Sequence, residues 1–285
     1  MSQPVITPRA RTLGAELRYA RNEAGLSSRE MGEALGVPHN RVLDWEKGYP
    51  LPNEDKLSRF LQVCQINGER AEEIMALRRA ASERNYLTSG MDRHLAVLAE
   101  YERTATEMYA VATGLIPGLL QTSDYMRALF TGSAGEDNAA PGEVEKRVMV
   151  RLARQDVLSR PGPVRFAAFL AWGVVTDMPC SDEVAAGQLR HLHNMMQRDN
   201  IEVRVVPLGV REYTSNRDSS FTLMQFEKAD PLIHTDVLER AALVTEPRAV
   251  EYARRALDNL SKAAMSPAAT AELIAKLITE KERSK

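Results

Sequence analysis

The stretch from Leu26 to Gly48, LSSREMGEALGVPHNRVLDWEKG, restricts the fold more than any other part of the chain. Ser27 or Ser28 suits a helix N-cap, because a hydroxyl accepts a hydrogen bond from an orphan amide there. Leu26, Met31 and Leu35 fall at helical spacing between polar residues. Gly32 stands where a close helix crossing tolerates little side chain, and Gly36 suits the left-handed end of a helix. Pro38 fits the first turn of the next helix, where its missing N–H costs nothing. Val42 and Trp45 then give an inward stripe at i, i+3. Two short helices joined by a tight turn containing Gly make a helix-turn-helix.

A second helix of this kind fits the DNA major groove and offers its first residues to base edges. Those residues are His39, Asn40 and Arg41, with Asp44 one turn later. Asn pairs bidentately with adenine and Arg with guanine, each pair giving roughly 1–3 kcal/mol of discrimination. Arg18, Arg21, Ser28, Arg29 and Lys47 lie where phosphate contacts are expected, which orient a protein without reading sequence. The alternative is an αα-hairpin inside a plain helical bundle. A polar, donor-rich helix start between apolar positions argues against a helix packed on both sides.

The segment resembles the Cro/phage-repressor (XRE-type) helix-turn-helix along its whole length. Leu26, Ser28, Glu30, Met31, Gly32, Leu35, Gly36, Val42, Trp45, Glu46 and Gly48 fall on that pattern. Gly32 replaces the usual Ala and Trp45 a smaller aliphatic residue, both read as tolerable packing changes.

Charge adds little to this. The chain of 285 residues has a formal net charge of −2. Residues 1–85 hold 13 Lys and Arg against 12 Asp and Glu, a balance of +1. Any DNA affinity therefore comes from a local patch and not from a basic body. The length suggests two domains, or one large one. Cys64 and Cys180 lie far apart without paired spacing, which fits a reducing compartment. No apolar run approaches a membrane span, and MSQPVITPRARTLG lacks the apolar centre of a secretion signal. The expectation is a cytoplasmic protein, nucleoid-associated when bound.

Residues 1–10 read as an arm whose Pro4 and Pro8 oppose a helix, with Arg9 and Arg11 near a DNA backbone or merely solvated. A first helix is expected over Thr12–Ala24. Asn53 caps a fourth helix and a fifth covers about Glu69–Glu83, completing an all-α domain over 1–81. Residues 82–93 read as a polar linker, and 94–285 as an α+β domain with a small mixed or antiparallel sheet. There a helix is expected over His94–Tyr109 and a cap at Thr122 or Ser123. A turn-rich loop follows over 131–142, then a charged helix over Glu143–Leu158. Strands are expected at Arg165–Trp172, Ile201–Leu208, Ser220–Phe226 and Pro231–Val237. Asp182 caps a helix to about Arg198, and two helices close the chain over Arg248–Lys262 and Pro267–Lys281.

Six stretches of this second part, among them GLIPGLLQTSDYMRALF, PGEVEKRVMVRLARQDVLSR and NIEVRVVPL, resemble the WhiJ-type regulators of actinobacteria. Met178–Cys180 departs from that pattern. The resemblance implies an XRE-type helix-turn-helix joined to a C-terminal domain of unsettled function. It further implies a role in development or secondary metabolism and a small acidic partner protein encoded nearby. Arg147, Arg151 and Arg154 recur on one helix face. They form either a solvated face paired with Glu143 and Glu145 or a surface for an acidic partner, whose carboxylates guanidinium forks recognise.

Catalytic signals are weak. His191 and His193 point about 200° apart on a helix and cannot share a metal. No zinc, nucleophile-elbow or nucleotide-binding motif is present. Cys180 reads as a loop cysteine, and Asp124 and Tyr125 as a cap and a core aromatic. The expectation is no enzyme and no cofactor, but a homodimeric, sequence-specific regulator on a pseudo-palindromic operator. Its half-sites would lie roughly 34 Å apart. An antitoxin-like protein that holds a small acidic partner and autoregulates its operon is the rival reading.

Overall fold

A computed structural model describes residues 7–79, 81, 85–89, 91–137, 141–209, 220–227, 229–237 and 240–283. The chain forms two compact units. The first comprises Met1–Tyr101, Lys228–Leu232 and Val237–Val250, and the second Glu102–Glu227, Ile233–Asp236 and Glu251–Lys285.

The first unit holds five helices by residue 79: α1 (Pro8–Glu23), α2 (Ser28–Leu35), α3 (His39–Glu46), α4 (Glu54–Val63) and α5 (Glu69–Arg79). Their apolar stripes meet in one core of Leu13, Leu17, Met31, Leu35, Val42, Trp45, Leu57, Phe60 and Ile74. The caps are local and explain where the helices start. Ser27 accepts from the Glu30 amide while Glu30 accepts from the Ser27 amide, a full capping box. Ser27 is thus the cap, and Ser28 is the first helical residue. Asn53 caps α4 by accepting from the Lys56 amide at 2.9 Å.

Two expectations change here. The arm is shorter than Pro8 suggested, because Thr7 caps α1 and Pro8 sits in its first turn. The expected arm's residues 1–6 lie outside the described residues. Arg11 packs over the Tyr101 ring, 4.6 Å from its centroid. The stretch 82–93, read as a polar linker, contains β1 (Asn85–Ser89), antiparallel to β7 (Arg240–Val244). The remainder of that stretch includes the start of α6 (Met91–Thr104).

The second unit contains a mixed sheet in the order β6-β5-β2-β3-β4. Its strands are β2 (Glu107–Ala112), β3 (Arg165–Ala171), β4 (Ile201–Val206), β5 (Phe221–Gln225) and β6 (Leu232–Val237), of which Ile233–Asp236 belong to this unit. β2, β3 and β4 run parallel, and β5 is antiparallel to β2. The register aligns Met108, Phe166 and Ile201, then Ala110, Ala168 and Val203, so one face of the parallel strands is continuous core. Parallel strands need covered crossovers. The β2–β3 connection carries α7 (Ser123–Asp137) and α8 (Pro141–Arg154), and the β3–β4 connection carries α9 (Trp172–Thr176) and α10 (Asp182–Met195). The chain closes with α11 (Pro247–Ala263) and α12 (Pro267–Arg283).

The helix expected over His94–Tyr109 stops at Thr104, and Glu107–Tyr109 enter β2. The loop expected over 131–142 is helical to Asp137 and again from Pro141, with 138–140 outside the described residues. Ser181, and not Asp182, caps α10. Thr122 caps α7 through the Tyr125 amide at 3.2 Å. β4 would present a bare edge, but Arg204 donates to the Met265, Ser261 and Ala264 carbonyls and Thr270 Oγ1 accepts from the Val205 amide. The turn between α11 and α12 thereby closes the strand edge.

Candidate nucleic-acid interface

The helix-turn-helix is α2, a turn at Gly36 and α3. Gly36 adopts φ 63°, the left-handed end that its lack of a Cβ permits. Lys56 of α4 donates to the Leu35 carbonyl at 2.8 Å, satisfying one orphan acceptor of α2. Gly32 serves the turn more than a helix crossing. A Cβ there would stand 2.7 Å from the Val37 carbonyl oxygen and 3.2 Å from the His39 amide nitrogen.

One side of α3 is locked into the unit. Val42, Trp45 and Glu46 are buried. Arg21 of α1 donates through Nε and Nη2 to the two carboxylate oxygens of Glu46, at 2.6 and 3.0 Å. Its Nη1 donates to the Leu26 carbonyl at 2.7 Å and to Asn22 Oδ1 at 3.0 Å. The hydrogen bond to Glu46 holds the guanidinium pKa above its usual value, against the opposing effect of burial. α1 and the end of α3 also approach backbone to backbone, since a Cβ on Gly14 would stand 2.6 Å from the Glu46 carbonyl oxygen.

The other side of α3 is open. His39, Asn40 and Arg41 are exposed and Asp44 is half-buried. None of His39, Asn40 and Arg41 makes a side-chain hydrogen bond to another described residue. Lys47 is exposed, Ser28 half-buried, and Arg29 forms an exposed i,i+4 pair with Glu33 at 3.3 Å. Arg18 pairs with Glu100 at 3.3 Å and keeps 44% of its side chain exposed.

Arg21 is therefore removed from the expected phosphate contacts: it is 8% exposed and its donors are taken by Glu46, Leu26 and Asn22. The signal for this lay in Glu46, a carboxylate beside Trp45 on the inward stripe of α3, which needs a buried cation.

The arginines of α8 are corrected in the same way. Arg154 holds Glu102 in a two-bonded pair at 2.8 and 2.6 Å, with 8% and 4% of the two side chains exposed. Arg151 donates to Gln121 Oε1 at 3.0 Å and lies 4.6 Å from the Phe130 ring centroid. Burial is the first cause that pulls its guanidinium down to about 10, and the repulsion of Arg154 adds to it. Neither forms a solvent-facing patch with Arg147, which is half-buried. Glu145 pairs with Arg127 instead, at 2.7 Å. Gln121, held by its Nε2 bond to the Ile116 carbonyl, belongs to the IPGLLQT block, whose role here is to wire α7, α8 and α10 together.

Among the described residues no group of three or more His, Cys, Asp or Glu is placed to hold a metal ion. No helix among them is long and apolar enough to cross a membrane.

Residues 12–74 match the family model described as a helix-turn-helix domain. No curated protein matches the chain. Among solved structures, the archaeal chromatin protein TrmBL2, whose structure is described as showing a novel mode of DNA binding, is similar at 13% identity. The match covers 85% of this chain and 88% of that one, with a TM-score of 0.32, too low to imply a shared fold. Residues 95–276 match the family model of a domain of unknown function, DUF5753. With well over half its length in that match, the chain belongs to the DUF5753 family and carries a helix-turn-helix domain at its N-terminal end.

Proposed function

We propose that the chain is a sequence-specific DNA-binding transcriptional regulator, a binding protein and not an enzyme, that reads a pseudo-palindromic operator as a homodimer inside the cell. One observation carries the reading. The first turn of α3 exposes His39, Asn40 and Arg41 with free hydrogen-bonding groups, while the opposite side of the helix is fixed by Trp45 and the Arg21–Glu46 pair. A rigid helix with an open polar first turn is the geometry of major-groove readout. Arg18, Ser28, Arg29 and Lys47 flank it as phosphate contacts. A single half-site buries little surface and binds weakly, which favours two copies.

The DUF5753 region then acts as a sensing, dimerising or partner-binding module. The resemblance to WhiJ-type regulators supports a role in development or secondary metabolism. A small acidic partner has less support than the α8 arginines suggested, because Arg151 and Arg154 are occupied within the unit.

The test selects bound sequences from a random duplex pool, then repeats the selection with Arg41→Ala and Asn40→Ala. The expected result is an enriched two-part site in which each variant relaxes one base position per half. A pool that shows no enrichment, or variants that weaken all sequences equally, overturns the reading.

A further inference from the structure

We propose that Leu43 of α3 reads the C5-methyl group of a pyrimidine, thymine in ordinary DNA, in each half of the bound site. That contact presupposes α3 in a major groove, the role given to it under the proposed function. It adds a residue without any hydrogen-bonding side-chain group to those that meet base edges.

α3 buries Val42, Trp45 and Glu46, while His39, Asn40 and Arg41 and the following Lys47 are exposed. Leu43 fits neither set. It is half-buried, yet it belongs neither to the core of the first unit nor to the partly buried side chains packed on that core, such as Leu26, Val37 and Leu51. Helical spacing instead puts it beside the groove-facing residues: three positions after Asn40, four after His39 and four before Lys47. A lone leucine on a protein surface is ordinary. This one is the single apolar side chain of α3 outside the core, and it stands among the polar groups that face the groove.

Of the groups that base pairs present in the major groove, the thymine C5-methyl is the one that gains from an apolar neighbour. Guanine N7 and O6, adenine N7 and N6 and cytosine N4 lose water against a leucine and receive no hydrogen bond in return, which costs free energy. Leu43 thus selects a methyl in two ways, by covering it and by penalising the polar edges. Helix geometry limits where that methyl lies. Three residues advance about 4.5 Å along α3, and successive base pairs lie about 3.4 Å apart. The methyl therefore falls within two base pairs of the position that Asn40 reads.

The test uses the full-length protein and the duplex enriched by selection from a random pool, with affinities taken from fluorescence anisotropy. Each thymine is replaced in turn by deoxyuridine, which removes the methyl and nothing else. The expected result is one position per half-site, within two base pairs of that relaxed by Asn40→Ala, where the change weakens binding about fourfold, the effect of one buried carbon group. At that position 5-methylcytosine binds about fourfold tighter than cytosine. Both ratios keep their size as salt is raised, unlike the effect of losing a phosphate contact. Leu43→Ala brings both ratios to about one, while Leu43→Met, which keeps a long apolar side chain, preserves them. Thermal denaturation shows that the variants are folded, and Leu43→Gln replaces Leu43→Ala should that variant not fold. The proposal is overturned if the selected duplex is bound but no thymine responds to the loss of its methyl, or if the ratios persist without Leu43. A pool with no enriched sequence overturns the regulator reading itself, and this proposal with it.

Discussion

Arg21 and Glu46 stand 25 residues apart in sequence, yet their side chains meet as a buried pair with two hydrogen bonds, at 2.6 and 3.0 Å. The pair joins α1 to the last turn of α3 and leaves 10% and 5% of the two side chains exposed. A buried ion pair contributes little against a well-packed apolar substitute, but removing one member strands a charge. Arg21→Met or Glu46→Met alone should therefore cost about 3–5 kcal/mol. The double variant should recover most of that loss. Urea denaturation of the four proteins closes the cycle, and additive single effects would show that the two residues do not act as a pair.

Gly32 carries a second expectation. Alanine is the better helix former by about 1 kcal/mol. Here a Cβ would stand 2.7 Å from the Val37 carbonyl oxygen, a backbone atom that cannot swing aside. Gly32→Ala should therefore destabilise the protein by about 1–3 kcal/mol in spite of its propensity gain. Thermal denaturation gives the sign directly, and a raised melting temperature would mean the turn relaxes at no cost.

The salt dependence of the proposed DNA binding follows from which cations of this face reach solvent. With Arg21 engaged by Glu46, the charged side chains left for phosphates in each copy are Arg18, Arg29 and Lys47. In the proposed homodimer two copies would neutralise about six phosphates, and log K should fall with log salt at a slope of about −5. Anisotropy titrations between low and moderate salt measure it. A slope near −10 would require basic contacts from elsewhere in the chain.

How much of this was written in the sequence depends on how far each residue's partner lies along the chain. Ser27, Glu30, Gly36 and Asn53 act within four residues, so the caps and the turn of the helix-turn-helix were legible from spacing alone. β1 was not, because Asn85–Ser89 becomes a strand only by pairing with Arg240–Val244, more than 150 residues later. The start of β2 is hidden because Glu107–Tyr109 continue the apolar spacing of the preceding helix. Their fate is decided by Arg165–Ala167 and Leu223–Gln225 on either side. The exposure of His39, Asn40 and Arg41 was legible because it requires only a polar helix start opposite an apolar stripe. Arg21, Arg151 and Arg154 were misplaced for the opposite reason: a long cation looks solvent-bound until its buried carboxylate or amide partner is known.

His191 on α10 gives the chain a pH dependence. It is half-buried, and its Nε2 is buried with no hydrogen-bond partner. Burial, and then the nearby Arg198, depress its pKa below the ordinary value of 6.5. The folded state thus favours the neutral ring. Below pH 6.5 the unfolded chain takes up the proton more readily than the folded one, so unfolding gains from each step down in pH. The stability conferred by the neutral ring is complete above about pH 6.5 and is lost as pH falls through the depressed folded value. His191→Phe removes the titration and leaves no orphaned nitrogen. The variant should match the natural protein within about 1 kcal/mol at pH 7.5 and exceed it at pH 5, where the natural ring must be protonated or held neutral at a cost. Urea midpoints measured at the two pH values decide it. Parallel pH profiles for the two proteins would show that His191 binds its proton equally in the folded and unfolded states.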